Sequence, residues 1–258
     1  MEFKFVLSNK VKEFLNNSKL EEISIGCSLS QVIKIVRGEK IYFLKMMEEG
    51  GLTQEYQKLM WLEGKIPVPK VVLFVKENGS EYMITEGLDG EMLASSYYQE
   101  HMDEAIKVIK EAFIKFTEVN VLDCPFLMTN DVLLETARNN ILNKLISFEG
   151  TSEWVQKRFS SLTDILHYLE ENKWDEELTF AFGDLSLPNI FACKDKLVGF
   201  VDVGLCGVAD KWLDIAIAQK SIRRNLGEEA VSRFYDALNI EPDEEKIDYY
   251  MLLLELMV

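Results

Sequence analysis

Histidine and cysteine are scarce in this chain: histidine occurs only at His101 and His167, cysteine only at Cys27, Cys124, Cys193 and Cys206. Neither histidine has a glycine-rich or acidic cluster beside it, which argues against a catalytic triad and a histidine metal cage. The cysteines lie far apart and form no C-x-x-C pair, so a zinc site or disulfide framework is not expected. Long apolar runs are missing too, since no stretch approaches the ~18 uncharged apolar residues that a membrane span needs. The opening MEFKFVLSNKVKEFL lacks the cationic end, apolar core and small-residue cleavage site of a secretory signal, and the expectation is an unsecreted, cytoplasmic protein. Positive charge is also short, with 28 Lys and Arg against 44 Asp and Glu and a net charge of -16. Such a surface repels nucleic acid and anionic membranes and attracts cationic ligands. A small polycation is therefore the natural partner, although acidity more commonly serves solubility.

At 258 residues, 48% of them hydrophobic, the chain can form one large domain or two lobes with a cleft. Its periodicity changes along its length. An amphipathic helix begins near Ser8; QVIKIVRGEKIYFLKM then reads as a hairpin turning at Gly38-Glu39-Lys40, and KVVLFVKENGSEYMITE as two strands around Asn78-Gly79. Between them, LTQEYQKLMWLEGK has helical spacing, with Thr53 as the expected cap and Gly64 as the stop. Beyond Glu91 helical patterns recur near 102–118, 131–146, 161–172, 209–225, 228–238 and 243–256, interrupted by one β-like island, NIFACKDKLVGFVDVG. This predicts an α+β, bilobal architecture: an antiparallel-sheet lobe with one helix over 1–86 and a larger helical lobe over 87–258.

Three pieces of this pattern carry chemistry. Lys45 ends the strand IYFLK, and Glu55 follows ten residues later in the next helix. A strand lysine held by a helix glutamate is how protein kinases place the amine that contacts nucleotide phosphates, although a lone Lys and Glu at this separation are more often solvated surface charges. Phe43 shares the strand face of Lys45 and could lie beside a nucleotide base. The second piece is Asp184 and Asn189 in TFAFGDLSLPNIF, at the D-x-x-x-x-N spacing of a kinase catalytic loop; turn chemistry alone would also explain Gly183, Asp184, Pro188 and Asn189. The third is VDVG, where the carboxylate of Asp202 would be a hard oxygen ligand for Mg²⁺. Each piece is weak alone; five residues in the right order on the right kinds of element are stronger.

The stretches GDLSLPNIF, GFVDVGLCGVADKWLDIAIA and MWLEGKIPVPKV resemble the aminoglycoside phosphotransferase family, and its 3′-phosphotransferases most. The resemblance runs from the first hairpin to the C-terminus and is least in the long middle helices. It implies a protein-kinase-like fold that moves the γ-phosphoryl group of ATP, with GTP as the alternative donor, onto a hydroxyl of a cationic antibiotic. Asp184 is then the catalytic base, Asn189 and Asp202 bind magnesium, Lys45 binds phosphate and Glu55 is its partner. MITEGLDG resembles the hinge whose backbone, at Thr85 and Gly87, bonds the adenine edge, and Ser28 in GCSLSQV matches the short nucleotide loop.

The chain also departs from the family pattern. Phe182 stands where the family usually has the histidine of His-Gly-Asp, and Leu205 follows the magnesium-binding turn where an arginine is common. Arg224 replaces an acid, the C-terminal acidic pair is reduced to Leu254-Glu255, and an extra residue displaces the carboxylate of Val258. These changes touch the acceptor half and spare the nucleotide half. Glu255 and Glu153 are the acids left to serve the acceptor, although Glu153 reads equally well as a solvated helix charge. Two other readings stay open: a kinase for another small hydroxylated molecule, such as a macrolide or metabolite, and a non-catalytic nucleotide-binding relative marked by Phe182.

Overall fold

The computed structural model describes residues 3–23 and 30–257. The first part runs α1 (Asn9–Leu15), β1 (Lys19–Ile23), β2 (Gln31–Arg37), β3 (Lys40–Glu48), α2 (Thr53–Leu62), β4 (Val71–Glu77) and β5 (Ser80–Glu86). The chain continues with β6 (Glu91–Met92), α3 (Ser96–Glu100), α4 (Met102–Thr117), α5 (Asn130–Leu142), α6 (Glu153–Arg158), α7 (Leu162–Glu171) and β7 (Leu178–Ala181). It ends with β8 (Ile190–Cys193), β9 (Lys196–Phe200), β10 (Gly207–Asp210), α8 (Lys211–Leu226), α9 (Glu228–Leu238) and α10 (Glu244–Leu254). Two compact units result: 1–91 with 191–204, and 92–190 with 205–258.

In the first unit the strands form an antiparallel sheet of order β1-β2-β3-β5-β4. Side chains alternate between the two faces of a strand. Ile33, Ile35, Tyr42, Leu44, Met46, Tyr82 and Ile84 accordingly gather into one buried cluster with Val11 and Leu15 of α1. Alternation leaves Phe43, Lys45 and Met47 on the less buried positions of β3. The Asn78-Gly79 turn joins β4 and β5 with both residues at positive φ, 56° and 72°, the backbone that favours this pair in tight hairpins.

The start of α2 differs from the sequence expectation. Its N-cap is Leu52, whose side chain has nothing to donate or accept, and Thr53 is the first helical residue. A residue distant in sequence supplies the cap. Glu81 of β5, fully buried, accepts from the Leu52 N–H at 2.7 Å and the Thr53 hydroxyl at 2.5 Å, and pairs with the Lys76 ammonium at 2.7 Å.

The sequence places the division after residue 86, and all of the β-like island with the helices. Contacts instead group 191–204 with the N-terminal residues, because the Phe200 N–H donates to the Pro67 carbonyl at 3.0 Å and the turn after β9 is tied to β3 and α2. The second unit is built around α8, where ten residues from Trp212 to Ile222 are buried. Helices α9 and α10 pack on it. Asp210 caps α8 by accepting the Trp212 N–H at 2.9 Å. β7 and β10 pair antiparallel, Phe180 opposite Val208 and Ala181 opposite Gly207, which fixes where the chain leaves β7 for the loop carrying Asp184.

Candidate active site

In the first unit, the Lys45 side chain leaves the middle of β3 and its ammonium reaches two carboxylates: Glu55 Oε2 at 2.8 Å and Asp202 Oδ1 at 2.7 Å. Burial disfavours the Lys45 charge, but the two carboxylates outweigh it and the pKa is raised. Glu55 is also shifted upward, by burial first and by the Asp202 charge, against the pull of Lys45. The Asp202 side chain is 56% exposed, so its carboxylate faces solvent as well as Lys45. Its φ of 56° lies in the left-handed region, which is uncommon for a residue with a side chain and is found where the surroundings hold the chain in place.

In the second unit, the chain leaves β7 at Ala181 and passes through Phe182 and Gly183 to Asp184. Gly183 has φ 77°, and a Cβ there would stand 2.2 Å from the Leu205 carbonyl oxygen, so no other residue fits. The N–H groups of Phe182 and Gly183 both donate to the buried carboxylate of Asp214, at 2.6 and 2.8 Å. Burial pushes the Asp214 pKa up to about 7, the nearby Asp184 charge adds to this, and the two N–H donors oppose it. Further along, Leu187–Asn189 forms a single 3-10 turn with Pro188 at its second position, and the Leu187 N–H donates to the Ser221 hydroxyl at 2.9 Å. That turn brings Asn189 back onto Asp184, where its Nδ2 donates to Asp184 Oδ2 at 2.7 Å. The amide oxygen of Asn189 is thereby left for another partner.

Phe182 is fully buried and stacks on Phe116, with ring centroids 5.0 Å apart and planes at 15°. Phe116 also stacks on Phe180 at 5.9 Å. The loop before Asp184 is thus braced through its backbone by Asp214 and through packing by Phe182. The sequence reading missed Asp214, although WLDIAIA offered a signal: a lone acid in a helical run that is otherwise apolar.

Thr85 pairs with Phe43 across β3 and β5, and Gly87 follows at the strand end. The Gly87 N–H is donated to the Ile41 carbonyl at 2.8 Å, so a base edge binding there would have to displace that bond. A depression of about 290 Å³ lined by Tyr42, Glu86 and Gly87 among others lies at this strand end. Glu255 uses both carboxylate oxygens on Ser152, accepting its N–H at 2.7 Å and its hydroxyl, and so holds the start of α6. Glu153 is 82% exposed and paired with Lys157 at 2.6 Å, which is the solvated helix charge. Ser28 and Val258 lie outside the described residues.

Each unit carries a hard oxygen of the kind Mg²⁺ takes: the Asp202 carboxylate in the first and the Asn189 amide oxygen in the second. No cluster of three or more His, Cys, Asp or Glu suited to a metal occurs among the described residues. A few protein ligands completed by substrate phosphates suit Mg²⁺ better than a cage made wholly of protein. By the chemistry of its oxygen, each of these side chains suits the ion.

The model of a family described as "Phosphotransferase enzyme family" matches residues 19–250. An aminoglycoside 3'-phosphotransferase of Enterococcus faecalis is 34% identical, covering 98% of this chain and 99% of its own length. Among solved structures, an aminoglycoside-3'-phosphotransferase of type VIII aligns with a TM-score of 0.83 at 23% identity, over 96% of this chain and 97% of that one. An aminoglycoside phosphotransferase of Streptomyces rimosus in complex with ADP and streptomycin aligns with a TM-score of 0.78 at 20% identity, over 96% of both chains. At these identities the two structures speak for the fold.

Proposed function

The chain belongs to the phosphotransferase enzyme family, and we propose that it moves the γ-phosphoryl group of ATP onto a hydroxyl of an aminoglycoside, an antibiotic-modifying reaction. The observation that carries this reading is Lys45 held between Glu55 and Asp202 at 2.8 and 2.7 Å. An ammonium so held stays charged and fixed in place, as contact with nucleotide phosphates requires. The shared 3'-phosphotransferase name of relatives covering nearly the whole chain supports the acceptor class.

The acceptor oxygen attacks the γ-phosphorus, the bond from that phosphorus to the ADP oxygen breaks, and the hydroxyl proton passes to Asp184. Asp184 orients that hydroxyl, and the Asn189 amide, donating at 2.7 Å, limits how its carboxylate can turn. Asp214 and the Phe182–Phe116 stack fix the backbone from which Asp184 projects. Lys45 holds the α- and β-phosphates, and catalysis comes from positioning and charge neutralisation without a covalent enzyme intermediate. Asp202 and Asn189 would hold Mg²⁺, which supplies charge neutralisation on the phosphates when bound. Residues 1–86 act as the nucleotide-binding part and 87–258 as the catalytic and acceptor part, with Asp202 working alongside the former. Thr85 and Gly87 would offer their backbone to the base, Gly87 only after its bond to Ile41 opens.

A second reading, a kinase for a less cationic hydroxylated molecule, is favoured by one observation: Glu255 spends both carboxylate oxygens on Ser152 and so does not stand free to meet an amine. An acceptor screen with ATP and Mg²⁺, read by product mass, separates the two. Phosphorylated kanamycin-like products support the first reading; products only from uncharged alcohols support the second.

A further inference from the structure

Helix α2 carries a charged residue that this chemistry does not use. Lys58 lies three residues after Glu55, so both side chains leave the same face of the helix. It is only 6% exposed, and its ammonium donates to the Gly204 carbonyl at 2.7 Å. Burying an ammonium is costly unless it is hydrogen-bonded, and a charge-assisted bond is among the stronger ones, so this contact constrains both ends. Gly204 itself packs on α2: a Cβ placed there would lie 3.7 Å from Glu55 Cβ.

These contacts close a ring. Glu55 holds Lys45, Lys45 holds Asp202, Asp202 leads through Val203 to Gly204, Gly204 is held by Lys58, and one helical turn returns to Glu55. Asp202 needs such support, because a left-handed backbone in a non-glycine residue is strained and persists only when its surroundings hold it. Lys58 supplies a hold on this turn that does not pass through Lys45.

We propose that Lys58 is a positioning residue for Asp202: by anchoring Gly204 to α2 it fixes the turn that presents the Asp202 carboxylate, and so sets the affinity for the divalent cation that accompanies the nucleotide. This rests on the reading of Asp202 as a metal ligand. The test is Mn²⁺ binding to the full chain in the presence of ADP, followed by electron paramagnetic resonance, for wild type, Lys58→Met and Asp202→Ala, with thermal melting to establish that each is folded. Lys58→Met is expected to weaken Mn²⁺ binding by about tenfold, the scale on which groups supporting a metal ligand act. Its affinity for metal-free ADP should stay within about twofold of wild type. Should Lys58→Met not fold, Lys58→Gln, which keeps a polar head at the buried position, is judged by the same criterion. A folded Lys58 variant that binds Mn²⁺ like wild type overturns the inference alone. Equal binding by wild type and Asp202→Ala overturns the metal-ligand reading, and the inference with it.

Discussion

At the scale of single residues, the account turns on charges that are held in place. Lys45→Met would remove the proposed phosphate contact and leave Glu55, 12% exposed, without its cation. Steady-state kinetics should show kcat/KM for ATP down by about 10²-fold, the usual scale for losing one positioned donor, and a fall of less than twofold would count against the assignment. Asp214→Asn offers one acceptor where two N–H groups now donate, so one is left facing an amide NH₂. Leaving a buried donor unmet costs about 1–3 kcal/mol; chemical denaturation should show that loss, with kcat reduced because Gly183 and Asp184 are no longer fixed. Much of this was legible beforehand: Lys45, Glu55, Asp184, Asn189 and Asp202 announce themselves by order and spacing. Asp214, Glu81 and Lys58 do not, because their roles arise from contacts 31, 29 and 146 residues away in sequence. The contact of Glu255 with Ser152 is hidden in the same way, 103 residues away, whereas the pairing of Glu153 with Lys157 one helical turn on is local.

At the scale of elements, α2 is the piece whose placement matters most, since it carries both Glu55 and Lys58. Its sequence suggests a helix with its own Thr53 cap, yet β5 provides the cap through Glu81. Burial would push the Glu81 pKa up, but donation from Lys76, Thr53 and the Leu52 and Gly50 N–H groups outweighs burial and holds it at about 2, against an ordinary 4.5. A carboxylate depressed on folding contributes stability that is fully present above about 4.5 and is lost as pH falls toward 2. Glu81→Ala should therefore cost about 3 kcal/mol at neutral pH, because the buried Leu52 N–H loses its acceptor and α2 its cap. The mutant's deficit should shrink between pH 4.5 and 2, which denaturant melts at a series of pH values would show. A deficit independent of pH would mean that the carboxylate is not what holds the helix. The helices of the second unit were the easiest elements to foresee. Those expected at 102–118, 228–238 and 243–256 appear as Met102–Thr117, Glu228–Leu238 and Glu244–Leu254 because their apolar faces repeat with helical period. The short α3 was not foreseen, being too brief for a period to show.

For the whole molecule, the class was readable from the switch between strand and helix periods, and the family match over 19–250 agrees with it. The position of the 191–204 segment was not readable. It is sequence-adjacent to the helical part but is grouped with the sheet by bonds to Pro67, Lys45 and Lys58 that no local pattern signals. The most direct measurement is product analysis by mass spectrometry after incubating wild type and Asp184→Ala with ATP, Mg²⁺ and kanamycin, alongside ADP·Mg²⁺ affinity for both. The account predicts kanamycin carrying one added phosphoryl group with wild type, at least about 10³-fold less with Asp184→Ala, and nucleotide affinities within about threefold of each other. Undiminished product from Asp184→Ala, or no phosphorylated kanamycin from a wild-type chain that binds ADP·Mg²⁺, would contradict it.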